Sequence, residues 1–380
     1  MKTDVLGIEL FFELLQIATG NRNILSVTPS SKEWQSLFYL ASKQTILGVC
    51  FYGIQKLPSQ QIVNLPMPLK MQWLATTASI QSRNELMDRR CVELQERLNK
   101  DGLHSCILKG QANAAIYPSF LSNLRQSGDI DIWVDGEFDE LVSYVNSVAP
   151  TIEITRHHAH LAIFQDVEVE LHFVPLILNN PFKQRKFNQF CSKYIERCCK
   201  NYIVLADGKS KITAATRNFN IVFQLLHIYH HFFTEGIGLR QLLDYYFLML
   251  NQNSHKDNFS PKDADGNADH SIKMVDSLGL SNFASALMYV LHVVFGLPEN
   301  KMLWSPHKEN GLFLLNEIMV SGNFGHLDER MPKRMSKLRS YIYGNGKALR
   351  LGRFDRWAWF WTPLTRLYWY VWRKKRGYKE

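Results

Sequence analysis

The first hundred residues carry apolar side chains at helical spacing. Residues 5–20 repeat apolar groups every three or four positions, which is typical of an amphipathic helix. Residues 31–57 predict a second helix or a helix pair, and residues 70–99 predict one long helix. We therefore expect residues 1–100 to form an N-terminal helical region.

Beyond residue 100 the pattern changes to strand periodicity, in which side chains two apart share a face. The segments with this pattern are residues 104–110, 129–134, 160–164 and 167–173. Gln165-Asp166 lies between the last two and predicts a tight hairpin. Helical segments separate the others, at residues 112–124, with an interruption near Pro118, and at residues 139–146. This mixture predicts a small α/β unit over residues 101–206.

Helical spacing returns from residue 214 to about residue 320, broken by a polar stretch at residues 253–270 that we interpret as a surface loop. The predicted fold class is α+β, a small mixed sheet flanked by helical regions. The predicted divisions are residues 1–100, residues 101–206, a C-terminal helical domain at residues 207–330 and a basic aromatic tail at residues 331–380.

The net charge of +9 first suggests nucleic acid or an anionic surface as a partner. Its location changes that interpretation, because residues 331–380 hold 14 Lys and Arg against two acids. The other 330 residues carry 30 basic and 33 acidic groups. The positive charge therefore belongs to the tail, and the body of the protein is slightly acidic.

Five of the nine tryptophans lie within residues 357–372, beside basic side chains. Tryptophan and tyrosine favour the membrane–water interface, and neighbouring Lys and Arg favour anionic lipid. Residues 354–376 are thus a candidate for peripheral membrane or protein contact. Two alternatives remain open: the aromatics cap the helical domain, or they bind single-stranded nucleic acid, which we favour less. We expect a cytoplasmic protein, with a possible place at the inner face of the membrane.

The pattern with the clearest chemistry is Gly128-Asp129-Ile130-Asp131. In a strand, Asp129 and Asp131 project to one side while Ile130 points into the core. Two adjacent carboxylates repel each other unless a cation lies between them, and Mg²⁺ prefers such oxygen ligands. The alternative is a solvated strand edge.

A third carboxylate comes from the strand at residues 167–173, where Glu168, Glu170 and His172 share a face. If this strand pairs with the aspartate strand, three carboxylates meet and can hold two metal ions. Glu168 and Glu170 both remain candidates, and we prefer Glu170.

Upstream, Lys109-Gly110 closes a strand immediately before a predicted helix. A glycine at such a position lets backbone N–H groups and the helix N-terminus approach a phosphate, and Lys109 would add a positive charge. The alternative is a tight strand-to-helix turn.

The chain has a glycine turn, then an Asp-x-Asp strand, and then a third acid on a later strand. This order of features resembles the DNA polymerase beta-like nucleotidyltransferase superfamily. The chain looks like its branch of bacterial uncharacterised nucleotidyltransferases, often associated with surface polysaccharide gene clusters. The resemblance spans about residues 35–345. The residues that carry it are Leu108-Lys109-Gly110, Tyr117-Pro118, Arg125, Gly128 to Asp131, Glu170-Leu171-His172, residues 236–244 and Asn323-Phe324-Gly325. One departure is that Gln111 follows Gly110, where the superfamily has glycine or serine.

The resemblance implies Mg²⁺-dependent (or Mn²⁺-dependent) transfer of a nucleoside monophosphate from an NTP to an acceptor, with a sugar, phosphosugar or metabolite favoured. It implies catalytic and metal-binding roles for Asp129, Asp131 and Glu170. It implies substrate or phosphate binding by a second group: Lys109, Gly110, Arg125, Gly128, Arg240, Asp244 and His231. The alternatives are a non-catalytic nucleotide- or phosphosugar-binding module and a toxin-like transferase that modifies RNA or protein.

Arg240 and Asp244 are one helical turn apart, as are His227 and His231. Arg240 would bind a phosphate with Asp244 orienting it, or the pair would form a structural salt bridge.

His157, His158 and His160 resemble a metal-binding cluster. No cysteine or acid at zinc-site spacing completes it, so we interpret these histidines as a turn or strand entry.

Overall fold

The computed structural model describes residues 5–148, 151–251, 268–323, 346–347 and 349–376. The N-terminal region is helical, as predicted. Its helices are α1 Val5–Ala18, α2 Ser31–Lys43, α3 Leu47–Lys56 and α4 Met67–Lys100. Helix α2 begins at a capping box, in which Ser30 accepts from the backbone of Glu33 and Glu33 accepts from that of Ser30.

A five-stranded mixed sheet follows, so the predicted α+β class is confirmed. Its strands are β1 Ser105–Ile107, β2 Ile130–Val134, β3 Thr151–Ile154, β4 His158–Leu161 and β5 Val169–His172. The spatial order is β1-β2-β5-β4-β3. Strands β2 and β5 run parallel, and the other neighbours are antiparallel. The connecting helices are α5 Gln111–Ala114, α6 Ser119–Ser122 and α7 Phe138–Val148.

The two faces of this sheet differ in character. One face packs on α4 and α7 and is apolar, with a core that includes Ile130, Ile132, Ala159, Val169 and Leu171. Because side chains alternate along each strand, the residues between them point to the other face. That face carries Asp131 on β2, Glu170 and His172 on β5, and His158 and His160 on β4. The alternation that buries the apolar side chains on one face of the sheet therefore brings the polar side chains together on the other face.

The predicted hairpin of β4 and β5 is present, but its turn is wider than expected. Strand β4 ends at Leu161 and β5 begins at Val169, so Gln165-Asp166 is not a two-residue turn. Two arginines of α4 hold this connection at Asp166. The side chain of Arg90 binds its carboxylate at 2.8 and 3.1 Å, and Arg83 donates to its backbone carbonyl at 2.6 Å.

Helices make up most of the remaining residues that the structure describes. They are α8 Pro181–Cys199, α9 Arg217–Phe233, α10 Leu239–Leu250, α11 Asp269–Ser277, α12 Ser281–Phe295, α13 Lys308–Ser321 and α14 Ala358–Arg376. A small hairpin of β6 Tyr202–Val204 and β7 Lys211–Thr213 connects α8 to α9. Most of the polar stretch predicted as a loop, residues 252–267, lies outside the described residues.

The N-terminal and C-terminal helices share one hydrophobic core. Polar contacts reinforce it, since Gln16 donates to the carbonyl of Val293 at 2.9 Å and Asn21 donates to the hydroxyl of Tyr246 at 2.6 Å. The division into separate regions at residues 1–100 and 207–330 stays a prediction.

Candidate active site

The acidic site forms where β2 and β5 lie side by side. Their parallel register places Asp131 opposite Glu170, and Asp129 lies just before β2. Oxygen atoms of Asp129, Asp131 and Glu170 lie within 4.8 Å of one another. Glu168, the other candidate for the third acid, is exposed and outside this group. The pairing of β2 with β5, on which the predicted group of three carboxylates depended, is therefore present.

Asp131 is the buried centre of the group, with its side chain 4% exposed. Lys109 places Nζ 2.7 Å from Asp131 Oδ1, and His172 places Nε2 2.9 Å from the same oxygen. Burial alone would raise the pKa of Asp131, but Lys109 and His172 hold it well below its ordinary value. Asp131 is thus a stable carboxylate.

Asp129 has the opposite electrostatic environment. The negative charge of Asp131 and burial both raise the pKa of Asp129, and Glu170 adds to the effect. Lys109 and His172 contact these three carboxylates, and Arg240 acts on Asp129 through its charge from a greater distance, so direct contacts leave the negative charge incompletely balanced. An all-oxygen group with excess negative charge is what a hard divalent cation such as Mg²⁺ or Mn²⁺ requires.

The predicted phosphate cradle at Lys109-Gly110 differs from expectation. Gly110 adopts φ +59°, a conformation that favours glycine, and the chain then enters α5. That helix has only four residues, so little helix dipole is directed at a ligand. Lys109 itself contacts Asp131. The phosphate-binding roles of both residues stay predictions.

Arg125 and Asp244 form a buried ion pair that sequence spacing did not indicate. Arg125 donates from Nε and Nη2 to the two carboxylate oxygens of Asp244, at 2.7 and 2.8 Å. Tyr117 and Asn113 also donate to Asp244, at 2.7 and 3.1 Å. Both charged side chains are about 5% exposed or less. This geometry is typical of a structural ion pair, and the substrate- or phosphate-binding role predicted for Arg125 and Asp244 stays a prediction.

Arg240 is therefore not held by Asp244 as the helical spacing predicted. Its Nη1 donates to the carbonyl of Gln126 at 2.6 Å, while its Nε is buried and has no hydrogen-bond partner among the described residues. Burial and the charge of Arg125 lower the pKa of Arg240 to about 10, against the opposing effect of Asp244 and Asp129. Arg240 thus lies close to both the acidic site and the Arg125–Asp244 pair.

The histidines of α9 approach the acidic site from another side. His227 is buried, and its pKa is lowered well below its ordinary value by burial and by the charge of Lys109. The ring of His231 lies 4.3 Å from that of His227, and its Nδ1 lies 3.3 Å from a carboxylate oxygen of Glu235. The substrate-binding role predicted for His231 stays a prediction.

Gly128 lies at the exposed edge of the site, where a Cβ atom would meet nothing within 4 Å. Its carbonyl accepts a hydrogen bond from Arg83 Nη2 at 3.1 Å. Arg83 was not predicted, because its separation in sequence gives no sign of this contact.

The strand entry predicted at His157, His158 and His160 is present, because β4 begins at His158, but an acid that was not predicted there adjoins these histidines. His158 and His160 lie on β4, where they pair with His172 and Glu170 across the strands. His158 Nδ1 is 3.9 Å, and His160 Nε2 3.7 Å, from Glu170 carboxylate oxygens. The acid missing from the sequence motif is therefore supplied by the neighbouring strand. His158 and His160 are two residues apart and adjoin a predicted strand, and this spacing was the signal that could have revealed their position beside Glu170.

These observations define a mixed sheet with an Asp-x-Asp strand, a third acid on the adjacent parallel strand and flanking helices. A family model described as "Uncharacterised nucleotidyltransferase" matches residues 30–296, which include the sheet, the acidic site and α9 to α12. The chain belongs to this family of nucleotidyltransferases. No match was found among curated proteins or among solved structures.

Proposed function

We propose that this protein transfers a nucleoside monophosphate from an NTP to an acceptor, using divalent metal held by Asp129, Asp131 and Glu170. The observation that supports this most is the convergence of the three carboxylates on the paired strands β2 and β5. Family membership supports the reaction class. The order of the motifs supports a place in the polymerase beta-like superfamily.

In the proposed reaction an acceptor oxygen bonds to the α-phosphorus of the NTP, the bond from that phosphorus to the β-phosphate oxygen breaks, and pyrophosphate leaves. Bound Mg²⁺ or Mn²⁺ would activate the acceptor oxygen and neutralise charge on the phosphates. Glu170 is 20% exposed, more than Asp131, and it would accept the acceptor's proton.

The basic side chains have separate proposed roles. In the absence of metal, Lys109 neutralises the charge of Asp131. When metal binds that carboxylate, Lys109 would be available to contact a phosphate. Arg240 would bind a phosphate through its Nε, which has no hydrogen-bond partner within the described part of the chain. His231 and the Gly110 backbone would line the same site.

The acceptor that we favour is a sugar or phosphosugar, as the resemblance to polysaccharide-associated proteins implies. The test is to incubate the protein with each α-labelled NTP, Mg²⁺ and panels of sugar phosphates, total RNA and protein, and to measure pyrophosphate and label transfer. Pyrophosphate release that disappears in Glu170→Gln, and persists in the surface variant His104→Asn, is the expected result.

NTP binding without pyrophosphate release from any panel would instead identify a binding module. Label on RNA or protein alone would identify the macromolecule-modifying alternative.

Helix α14 supports a proposal about location. Its inner face packs on the body, where Thr365 donates to the carbonyl of Asn179 at 2.6 Å and Arg156 lies 4.7 Å from the Trp369 ring. The outward apolar residues are 40–62% exposed: Trp359, Phe360, Leu364, Leu367, Tyr368, Tyr370 and Val371. Within the described residues, no helix is both long and apolar enough to cross a bilayer.

We propose that this outward face lies on an anionic membrane surface, with Arg356 just before α14 and the basic residues at its C-terminal end contacting lipid phosphates. The helix then acts both as a cap for the body and as a docking surface. Co-sedimentation with vesicles containing phosphatidylserine is expected for the full chain. It should weaken at least tenfold in Leu364→Ser/Leu367→Ser, whereas the inner-face control Thr365→Ser should bind normally. Equal binding by Leu364→Ser/Leu367→Ser would contradict the proposal.

A further inference from the structure

A second group of possible metal ligands adjoins the carboxylate cluster and differs from it in chemistry. Ligand atoms of His158, Glu170 and His172 lie within 4.8 Å of one another. His158 and His172 are direct cross-strand partners on β4 and β5, and Glu170 follows the same face of β5. This set offers two imidazoles and one carboxylate, whereas the neighbouring set offers oxygen alone.

We propose that His158, Glu170 and His172 bind a divalent transition metal, Zn²⁺ in the first instance, beside the carboxylate cluster and sharing Glu170 with it. Two histidines with one carboxylate are a ligand set that zinc and other borderline metals favour, and Mg²⁺ does not. The inference concerns metal binding by these side chains and does not depend on nucleotide transfer.

The distances fit a site that tightens slightly around an ion. Tetrahedral ligands about 2.1 Å from zinc lie about 3.4 Å from each other. Glu170 Oε2 is 3.4 Å from His172 Nε2 and 3.9 Å from His158 Nδ1. Small side-chain rotations therefore suffice to bring the ligands to coordination distance.

His172 is 3% exposed, and its Nε2 is the ring nitrogen that faces the carboxylate of Glu170. Without metal this Nε2 bonds to Asp131 at 2.9 Å. Zinc at Nε2 would replace the proton of that hydrogen bond, because a histidine binds metal through a deprotonated nitrogen. Asp131 would then lie beside the ion and add negative charge to the site.

Hydrogen bonds to Thr155 fix the backbone at the start of β4, where His158 lies. The Thr155 hydroxyl oxygen accepts the backbone N–H of both His157 and His158. His157 Nε2 lies 2.8 Å from His158 Nδ1, so zinc at Nδ1 would replace His157 as the partner of that nitrogen. The backbone contacts with Thr155 do not depend on that exchange.

The site is open on one side, which leaves room for a further ligand. The side chains of His158 and Glu170 are 12% and 20% exposed, whereas that of His172 is 4% exposed. The charged and titratable groups that face the cluster are Lys109, Asp129, Asp131, His157 and His160. Three protein ligands with an open position are typical of catalytic zinc sites.

The test is calorimetric titration of the metal-stripped full chain with Zn²⁺ alone, without nucleotide. One Zn²⁺ per chain is expected, with affinity at least tenfold weaker in His158→Asn and unchanged in the surface control His104→Asn. Asp129→Asn, which alters only the carboxylate cluster, should retain Zn²⁺ binding. His158→Cys, which keeps a metal ligand, should also retain it.

Visible absorption of the Co²⁺-loaded protein gives a second readout that requires no stability comparison. We expect ligand-field bands in the wild type and in Asp129→Asn, and their loss in His158→Asn. Three results would each overturn the proposal: no Zn²⁺ binding by the wild type, equal binding by His158→Asn, or loss of binding in Asp129→Asn with retention in His158→Asn. None of these results bears on whether NTP is consumed.

Discussion

Two buried ionic clusters lie close to Arg240, and they differ in how their charges are matched. In the first, Arg125 and Asp244 pair through two hydrogen bonds, and further donors satisfy the same carboxylate. In the second, Asp129, Asp131 and Glu170 face Lys109 and His172. A matched pair needs no ligand, whereas excess negative charge favours a cation. Charge balance therefore separates an architectural pair from a candidate metal site.

The largest effect is expected from breaking the matched pair. Asp244→Ala leaves the buried guanidinium of Arg125 without its partner, which we expect to lower the free energy of unfolding by about 3–5 kcal/mol. Urea-induced unfolding measures this change in the free energy of unfolding. The exposed residue Glu85 provides the control, because Glu85→Gln should stay within about 0.5 kcal/mol of the wild type. A change of similar size in both variants would show that the pair is not structural.

The next effect is stabilisation by metal at the unmatched cluster. Mg²⁺ with a non-hydrolysable NTP at one hundred times its dissociation constant should stabilise the wild type by about 2.7 kcal/mol. Asp129→Asn should lose this gain because one of the proposed ligands has lost its charge. Thermal unfolding with and without Mg²⁺ measures the difference, and an undiminished gain in Asp129→Asn would exclude that residue as a ligand.

A somewhat smaller effect distinguishes the two aspartates in chelator-treated protein. Asp131→Asn weakens charged contacts with Lys109 and His172, so we expect a loss of about 2 kcal/mol. Asp129→Asn relieves repulsion from Asp131 and should be neutral or stabilising. Urea unfolding of both variants gives the comparison. Destabilisation by Asp129→Asn as large as that by Asp131→Asn would mean that Asp129 is a balanced structural charge.

The smallest effect concerns two glycines beside the unmatched cluster. Gly110→Ala places a side chain at φ +59° and should destabilise the fold by about 1 kcal/mol. Gly128→Ala meets open space without such a constraint and should be nearly neutral. Equal effects on the denaturation midpoint would show that backbone conformation at Gly110 is not the constraint.

Much of the fold was predictable because its signals are local. Apolar spacing indicates α1 to α4, and alternation indicates β2 and β5. The wider connection between β4 and β5 was not predictable, because Arg83 and Arg90 act on Asp166 from a distant helix. Strands β6 and β7 have three residues each, too few for periodicity to identify.

The carboxylate cluster was predictable for the same reason, whereas its surroundings were not. Asp129 and Asp131 share a face by alternation, and Glu170 needed only the pairing of β2 with β5. The partner of Asp244 is 119 residues away, so helical spacing suggested Arg240 instead. Long-range partners depend on how helices pack, which residue spacing does not encode.

Diffraction from crystals soaked with Mn²⁺ and a non-hydrolysable NTP tests the central claim most directly. Anomalous scattering locates Mn²⁺ independently of the nucleotide. We predict a peak at coordination distance from oxygens of Asp129 and Asp131, with Glu170 as a further ligand and the triphosphate alongside. Nucleotide bound elsewhere in the protein, or bound here with no anomalous peak between these carboxylates, would contradict the account.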